Sequence, residues 1–261
     1  MKNKKPDIQD LTEFLLDYAS CMISAGTYSK RVNKCVTRIA NSFGYDVALS
    51  IFLKTTTLTI TSSNNPSERR TYIKKNKPRA IDFKRILGLS ALSWQIYDDK
   101  FDLKEAKLHF KNILSQKRNK FVPTLFLISF GNAAFSKLFG GDLGTLLIVF
   151  CSTMVGFGIK TLMAKYKLNI RLQYIAVSFV VSSLASFGCK LELTKTQDVA
   201  IASSVLFLIP GVYFINSIIE ILNENNLIAT SRIINVSVLI ICIAIGIFLS
   251  LSLSNAGLIN A

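Results

Sequence analysis

The N-terminal part of the chain changes its hydrophobic period twice. From Ile8 to Ile23 apolar residues recur at intervals of three and four, which predicts an amphipathic helix ending near Gly26, and a second helix is predicted over about 29–43. Three short segments rich in β-branched and aromatic residues follow: YDVALSIFL, TTTLTITS and RRTYIKK. Lys54 and the turn-forming run SSNNPS separate them, so we predict a three-stranded antiparallel meander.

Helical periodicity returns after the predicted strands. A helix is expected from Asp82, with apolar residues directed toward the core: Ile86, Leu87, Leu89, Leu92 and Ile96. A further helix is expected from Asp102, because Asp102 and Glu105 have the spacing of a capping box. Residues 1–118 are therefore predicted to form an α+β domain of order ααβββαα, which is long enough to bury a core of its own.

Residues 119–261 contain long apolar stretches in place of an amphipathic pattern. They cover approximately 122–139, 143–163, 170–189, 199–219 and 233–253. Each has about the 20 residues that a helix needs to cross the hydrocarbon core of a bilayer. Backbone polar groups in lipid must be hydrogen-bonded within their own segment, so helices are the expected form. The predicted fold class is a membrane α-helical protein with five transmembrane helices after the N-terminal domain.

Charge is distributed as unevenly as hydrophobicity. The chain of 261 residues has 31 Lys and Arg, 16 Asp and Glu and a formal net charge of +15, and residues 1–120 hold 23 of the basic and 11 of the acidic residues. The connection 160–171 has four basic residues and no acid, whereas the connections 137–144 and 190–198 are balanced. By the positive-inside rule we expect a multi-pass protein with a cytoplasmic N-terminus and its C-terminus outside. The charged start, MKNKKPDIQDL, lacks the apolar run of a cleavable signal.

Several features of the predicted N-terminal domain invite functional interpretations that simpler explanations cover. A carboxylate cluster, Asp98, Asp99, Asp102 and Glu105, resembles a divalent-cation site, but a helix end followed by a helix cap accounts for it. The sequence has no Ser or Cys nucleophile motif for which His109 could act as a general base, so a packing or surface role is expected for it. The basic run 74–79 fits a solvated connection, anionic lipid headgroups or nucleic acid, and the apolar second half favours lipid over nucleic acid. We predict no cofactor and no metal site.

The fourth apolar stretch, LFLIPGVYFINSIIE, is interrupted by a helix breaker. Pro210 has no N–H and its ring crowds the carbonyl of Leu206, so we expect that carbonyl to be left without its helical hydrogen bond. The adjacent Gly211 allows another helix or a solute to come close. An interrupted helix near the middle of a membrane is a common way to build a transport site.

Polar side chains continue along one face of this stretch. Tyr213, Asn216 and Glu220 follow the break at spacings of three and four, and a carboxylate at this depth costs roughly 2 to 3 kcal/mol if it faces lipid. One interpretation places them on a solute pathway. The other is a packing kink, with Glu220 extending to the inner membrane surface.

The first apolar stretch also has a polar face. Ser129, Asn132 and Ser136 recur at three and four residues, and small residues flank them. Small and hydroxyl-bearing residues are typical of close helix–helix interfaces in membranes. The alternative is that these side chains form a polar wall of a pathway, and both interpretations remain open at this point.

Several segments together resemble one family over nearly the whole chain. These are SAGTYSKRV at 24–32, LTITS, RRTYIKKNKPRAIDFKRILGLSALSWQI, DLKEAKLHFKNI, LFGGDLG and LIPGVYFINSIIEIL, in this order. The sequence is similar to the ThrE-type threonine/serine exporter family, and in length it resembles the larger, YjjP-like half of transporters that are split between two polypeptides. Two positions depart from the family pattern: Glu220 stands where Asp is usual, and Thr230-Ser231-Arg232 replaces a Gly-containing approach to the Arg.

This resemblance implies a function and a partner. It implies export of small hydrophilic metabolites, threonine and serine or small carboxylates, across the bacterial inner membrane, driven by an ion gradient. It also implies a smaller, YjjB-like membrane subunit that supplies the remaining spans, within an oligomer surrounded by membrane lipids. No GxxxxGK[ST] motif occurs, so direct ATP coupling is not expected. The substrate-binding residues predicted from the motif and from the polar faces are Pro210, Gly211, Tyr213, Asn216, Glu220, Ser129 and Asn132.

Two other classes of function compete with this hypothesis. A membrane-anchored enzyme is disfavoured because the sequence has no recognisable nucleophile, metal set or paired catalytic residues. A scaffold or regulatory subunit, whose partner alone forms the path, is the alternative that the sequence leaves open. Such a scaffold would tolerate polar-to-apolar changes at Tyr213 and Asn216.

Overall fold

The structure is a computed structural model that describes residues 6–52, 54–76, 81–116 and 120–255. Part of the basic run 74–79 and the tail after residue 255 lie outside the described residues. The chain divides into two units, which we call the N-terminal unit and the helical unit. The first combines residues up to 117 with 212–233, and the second combines 118–211 with the chain from 234 onward. The domain boundary predicted near residue 118 stays a prediction.

The N-terminal unit follows the predicted order of elements. Its elements are α1 (Ile8–Ser24), α2 (Ser29–Ser42), β1 (Tyr45–Ile51), β2 (Thr55–Ser62), β3 (Asn65–Lys75), α3 (Phe83–Asp98) and α4 (Leu103–Ser115). The order ααβββαα is thereby confirmed. One boundary was misplaced, because β3 begins at Asn65, within the run that was predicted to be a turn.

The three strands form an antiparallel sheet in the order β1-β2-β3. Tyr45 lies opposite Ser62 in the first strand pair, and Thr55 lies opposite Lys75 in the second. Alternate residues of the central strand β2 are buried, including Leu58 and Ile60, which are fully enclosed. A strand that buries every second side chain packs one face of the sheet against the core.

The core of this unit lies between the sheet and the helices. Tyr18, Leu15 and Met22 of α1 are fully buried, as is Leu92 of α3. The Tyr18 hydroxyl donates to the Leu89 carbonyl oxygen at 2.6 Å, and burial raises the pKa of this phenol well above its usual value. One predicted core residue is wrong, because Leu87 is exposed on the outer face of α3.

Helix caps account for two of the clustered carboxylates in this unit. Asp102 accepts from the backbone N–H of Glu105 at 2.7 Å, and Glu105 accepts from the backbone N–H of Asp102 at 3.1 Å. The predicted capping box is therefore confirmed. Asp82 likewise caps α3 by accepting from the backbone N–H of Arg85.

The helical unit contains most of the apolar chain. Its elements are α5 (Phe121–Leu138), α6 (Leu143–Lys165), α7 (Ile170–Lys190), α8 (Gln197–Ser204) and a 3₁₀ turn (Leu206–Leu208). After the break come α9 (Gly211–Leu222) and α10 (Asn226–Asn255). Most of α9 and the start of α10, up to Ile233, belong to the N-terminal unit, and the rest of α10 belongs to the helical unit.

Among the described residues, four helices are long and apolar enough to cross a membrane: α5, α6, α7 and α10. A fifth span results if the interrupted pair on either side of Pro210 is taken as one. The chain is thus a membrane α-helical protein with a small sheet near its N-terminus. Helix α10 begins at Asn226, seven residues before the predicted span, so the predicted fourth connection shortens to Asn223–Asn225.

The break at Pro210 differs from the expected one. The backbone N–H of Ile209 donates to the Leu206 carbonyl oxygen at 3.0 Å, and that of Gly211 donates to the Ile209 carbonyl oxygen at 2.8 Å. The prediction that the Leu206 carbonyl is left unpaired is therefore wrong. The chain tightens into a 3₁₀ turn before the proline, and an i to i+3 bond replaces the helical bond that Pro210 cannot make.

Two connections of the helical unit are joined through Asp142, which caps α6. Its carboxylate accepts from the backbone N–H of Lys195 at 2.8 Å, the backbone N–H of Thr145 at 2.7 Å and the Thr194 hydroxyl at 2.8 Å. These donors, the Lys195 N–H first, hold the pKa of Asp142 far below its usual range. The α5–α6 and α7–α8 connections therefore lie at the same end of this unit.

Candidate functional site

A line of buried polar side chains runs through the interior of the helical unit near the middle of α5. Ser129, Asn132 and Ser136 lie buried on one face of α5, as their spacing predicted. The Asn132 amide donates to the Thr153 hydroxyl at 2.7 Å and to the Ser203 carbonyl oxygen at 3.0 Å. Asn132 thus joins three helices, α5, α6 and α8.

The bond to Ser203 has a local cause. Helix α8 ends at Ser204, and the carbonyls of the last turn of a helix lack partners within that helix. The Asn132 amide satisfies one of these carbonyls. An amide from one apolar helix therefore caps the end of another, a few residues before Pro210.

Two buried hydroxyls of the helical unit have no hydrogen-bond partner among the described residues. They belong to Ser129, one turn before Asn132, and to Ser186 of α7. A buried polar group without a partner costs about 1 to 3 kcal/mol. By contrast, the Ser136 hydroxyl bonds the Ala133 carbonyl of its own helix. The interior of the helical unit thus has hydrogen-bonding capacity that its own side chains do not use.

A second set of predicted residues lies in the N-terminal unit, on α9. Asn216, Ser217 and Glu220 are buried, whereas the apolar Ile215 and Ile218 are exposed. This is the reverse of an amphipathic helix in a soluble protein, where the apolar face is buried. The polar face of α9 therefore packs on protein, and its apolar face is left outward, as lipid contact would require.

Glu220 is fully buried and has several donors around its carboxylate. Its Oε1 accepts from the backbone N–H of Ser29 at 2.8 Å and from the Ser29 hydroxyl at 2.7 Å. Its Oε2 accepts from the Asn225 amide at 3.0 Å, and Arg232 Nη2 lies 3.4 Å from Oε1. Because the side chain has no exposed surface, Glu220 is not the surface-reaching carboxylate of the packing-kink interpretation.

The same region of α9 and α10 binds the turn between α1 and α2, residues 25–28. The Asn216 amide donates to the Gly26 carbonyl oxygen at 2.7 Å, and Arg232 Nη2 donates to the Thr27 carbonyl oxygen at 3.2 Å. Gly26 has a φ of +96°, and a Cβ there would lie 2.8 Å from Ile81. Only glycine fits this position without strain, so the turn is built for close contact.

A cleft of about 730 Å³ opens on the N-terminal unit beside Ser29 and Asn225. Its walls come from α2, β1 and the α9–α10 connection, and Lys30 and Glu224 contribute one charge of each sign. Glu224 has a φ of +62°, in the left-handed region that non-glycine residues seldom adopt. The volume lies within the usual range for small-molecule pockets, and the lining is suited to a hydrophilic solute.

The structure thus divides the seven predicted site residues between the units. Ser129, Asn132, Pro210 and Gly211 belong to the helical unit, and Tyr213, Asn216 and Glu220 belong to the N-terminal unit. Sequence reasoning missed several of their partners: Thr153, Ser203, Ser29, Asn225 and Arg232. A signal existed for Ser29, which lies within the SAGTYSKRV segment, and for Arg232, a basic residue flanking an apolar stretch.

Long apolar helices that carry buried amides and hydroxyls near their midpoints define a membrane-embedded helical protein, and such buried polar groups are common along transport pathways. The sequence model of the family described as "Putative threonine/serine exporter" (ThrE) matches residues 13–254. The chain belongs to this family, which confirms the resemblance seen in its motifs.

Two relatives are similar to the chain over nearly its whole length. The chain is 20% identical over 254 residues to "Probable succinate transporter subunit YjjP" of Klebsiella aerogenes, covering 97% of each chain. It is 19% identical over 244 residues to the protein of the same description from Escherichia coli K12, covering 93% of this chain and 94% of the relative. No solved structure gives a significant match.

Proposed function

We propose that the chain is a subunit of a secondary transporter that exports small hydrophilic metabolites across the bacterial inner membrane. Family membership supports export of threonine or serine, and the description of the relatives supports small carboxylates such as succinate. An ion gradient drives the transport in this proposal. No enzymatic activity is proposed.

We further propose five spans, with the N-terminus in the cytoplasm and the C-terminus outside. The Asp142 network supports this arrangement, because it joins the connections that follow the first and third spans, and these must share one side. Lys167 lies in the connection between α6 and α7, and Lys165 and Arg171 flank it at the helix ends, as the positive-inside rule expects on the cytoplasmic side. Reporter fusions at the α6–α7 connection and the C-terminus test the orientation, and cytoplasmic signals from both would reject it.

The substrate path in this proposal runs along the buried polar line of the helical unit, beside the break at Pro210 and Gly211. The observation that carries it is the Asn132 amide, which bonds the Thr153 hydroxyl and the Ser203 carbonyl close to a Ser129 hydroxyl that has no partner among the described residues. Polar groups at the depth of a helix midpoint are expensive in lipid, and they commonly mark a substrate path.

Tyr213, Asn216 and Glu220 remain in the proposed substrate-binding set. The polar atoms of Asn216 and Glu220 bond the α1–α2 turn and Ser29, so a solute reaches them only when that turn is released. The cleft beside Ser29 would admit a small solute to this cluster. Release of such a contact is the kind of local rearrangement that alternating access requires.

A smaller, YjjB-like membrane subunit is the proposed partner, in an oligomer that lipids surround. The relatives are described as a "subunit", which supports the need for a second polypeptide. The rival proposal of a scaffold, with a path formed by the partner alone, predicts that polar residues of this chain are dispensable.

Transport in proteoliposomes that hold both subunits tests the proposal. Labelled threonine, serine and succinate are loaded, and efflux is followed for the native chain, Asn132→Leu and Thr153→Val. Thr161→Val is the matched control, because Thr161 lies on the same helix as Thr153 but is exposed and bonds the Phe157 carbonyl of its own helix at 2.8 Å. We expect efflux to fall in the first two variants and to persist in the control.

Other outcomes decide against parts of the proposal. Native efflux of all three substrates in both Asn132→Leu and Thr153→Val would remove the polar line from the path and favour the scaffold. Full efflux with the smaller subunit alone would reject a role for this chain in the path. Folding of each variant is checked by its elution as a monodisperse complex in detergent.

A further inference from the structure

The outer surface of α3 is apolar and aromatic although it faces away from the core. Phe83, Leu87, Trp94 and Tyr97 are between 49 and 63% exposed. Their spacing of four, seven and three residues places them on one side of the helix, with Ser90 between Leu87 and Trp94. We call this the α3 face. Single exposed apolar residues are ordinary, but an aligned row that includes Trp and Tyr marks an interaction surface.

Basic residues of the neighbouring helix α2 border the α3 face. The Arg38 guanidinium carbon lies 3.5 Å from the centre of the Trp94 ring, and Arg38 Nη1 donates to the Ser93 hydroxyl at 2.6 Å. Arg31 Nε donates to the Ser90 hydroxyl at 3.0 Å. Two further cations, Lys34 and Lys84, are exposed beside this face. Acids lie at both ends of the α3 face, with Asp82 before Phe83 and Asp98 and Asp99 after Tyr97, so the two arginines contact the part of the face between them.

The Phe83 end of the α3 face lies next to the place where α9 docks. The backbone N–H of Asp82, the cap of α3, donates to the Ala25 carbonyl oxygen at 3.0 Å. The next residue, Gly26, accepts from the Asn216 amide of α9 at 2.7 Å. Helix α9 has outward apolar residues and forms half of the interrupted span pair. The α3 face therefore begins beside the helix of this unit that has outward apolar side chains.

We propose that the α3 face binds the surface of an anionic phospholipid bilayer. Trp and Tyr rings prefer the headgroup level, and Lys and Arg beside them attract anionic lipids. The residues on this face combine both properties, with aromatic rings on the face and arginines and lysines along its border. Each Lys or Arg near an anionic surface contributes attraction that acts over about a Debye length, so contact must be close. The proposal does not depend on the transported substrate.

The single tryptophan of the chain makes this proposal directly testable. Because Trp94 is the only Trp among the 261 residues, emission excited at wavelengths that tyrosine does not absorb reports on the α3 face alone. The full chain is reconstituted in nanodiscs made of phosphatidylglycerol and phosphatidylcholine, with acyl chains brominated close to the headgroup. We expect quenching of Trp94 by the brominated lipid and a blue shift relative to detergent. Both effects should weaken in pure phosphatidylcholine.

Charge reversal at the border of the face is the second arm of the test. The double variant Lys34→Glu with Lys84→Glu changes two exposed side chains and is expected to lose the quenching while keeping its fold. The double variant Lys104→Glu with Lys111→Glu, at two exposed positions on α4, makes the same change in charge and is the matched control, which should keep the quenching. The Trp94 emission of each variant in detergent verifies that its local environment is intact.

Three results would overturn the proposal. If acrylamide quenches the Trp94 emission and the brominated lipid does not, the α3 face lies in water. Emission that changes only when the smaller subunit is added would assign the face to that protein. Emission that depends on the number of copies per nanodisc would assign it to a second copy of this chain.

Discussion

Ser29 and Glu220 are 191 residues apart in sequence, and both the backbone N–H and the hydroxyl of Ser29 donate to Oε1 of Glu220, at 2.8 and 2.7 Å. Ser29 is the first residue of α2, where unpaired N–H groups and the helix dipole favour a negative charge. A buried carboxylate from α9 supplies that charge in place of a local cap. The N-terminus of α2 and the polar face of α9 therefore stabilise each other.

Glu220→Gln tests this relationship. The substitution removes the buried negative charge, leaves Arg232 without its ion partner and turns an amide toward Ser29. We expect a loss of stability of about 3 kcal/mol, at the lower end of the cost of removing one partner of a buried ion pair. The measurement is thermal unfolding of the purified protein in detergent.

Glu224→Gln is the matched control for this change. Glu224 is also on the α9–α10 side of the cluster, but it is exposed, so its substitution should leave the melting temperature nearly unchanged. If the two substitutions change the melting temperature equally, the buried contacts of Glu220 add no stability beyond that of an exposed carboxylate.

Asn216→Leu is expected to lower export and to weaken the contact between α9 and the α1–α2 turn. The lost bond to the Gly26 carbonyl is worth about 0.5 to 1.5 kcal/mol, so the protein should still fold. Efflux from proteoliposomes with both subunits is the measurement. Ser217→Ala serves as the control, because the Ser217 hydroxyl bonds only the Tyr213 carbonyl of its own helix among the described contacts. Unchanged efflux in Asn216→Leu would remove Asn216 from the proposed site.

Gly246→Ala is expected to disturb the packing of α10 against α7. A Cβ at this position would lie 2.5 Å from the Ile175 carbonyl oxygen and would overlap the Ser178 hydroxyl. Such overpacking typically costs about 1 to 3 kcal/mol. Gly158→Ala on α6 is the control, because a Cβ there meets no described atom within 4 Å. The measurement is the melting temperature of each variant in detergent. If Gly246→Ala and Gly158→Ala lower it equally, or if neither lowers it, α10 and α7 do not approach each other closely at Gly246.

Asp142→Ala is expected to lower the melting temperature of the protein in a pH-dependent way. The donors around Asp142 lower its pKa in the folded state, so its carboxylate stabilises the fold fully above the unfolded pKa of about 3.9. This contribution declines as the pH falls from there through the lower folded pKa. The difference between native protein and variant should therefore be constant near neutrality and shrink below about pH 4.

Asp198→Ala is the control for that experiment, since Asp198 is an exposed acid in the first turn of α8. If the difference in melting temperature between the native protein and Asp142→Ala stays constant through the acid range, the charge of the Asp142 carboxylate is not what joins the two connections. If Asp142→Ala and Asp198→Ala lower the melting temperature equally, Asp142 contributes no more to stability than an ordinary acid in the first turn of a helix.

Local pattern was sufficient for much of the fold. The period of three and four predicted α1 from Ile8, the alternation of β-branched residues predicted the strands, and Asp102 with Glu105 predicted a cap that forms as expected. Each of these depends on residues close in sequence. Leu87 was misplaced because its apolar character alone could not distinguish a core position from an exposed one.

The partners of the candidate site needed the tertiary structure. The sequence by itself determined that Asn132, Asn216 and Glu220 lie on polar faces of apolar helices, because helical spacing sets which side chains share a face. Only the fold decided that Asn132 caps the end of α8 and that Glu220 meets Ser29. A hydrogen bond depends on which segments pack together, and no local period encodes a contact such as that of Ser29 with Glu220, which are separated by nearly three-quarters of the chain.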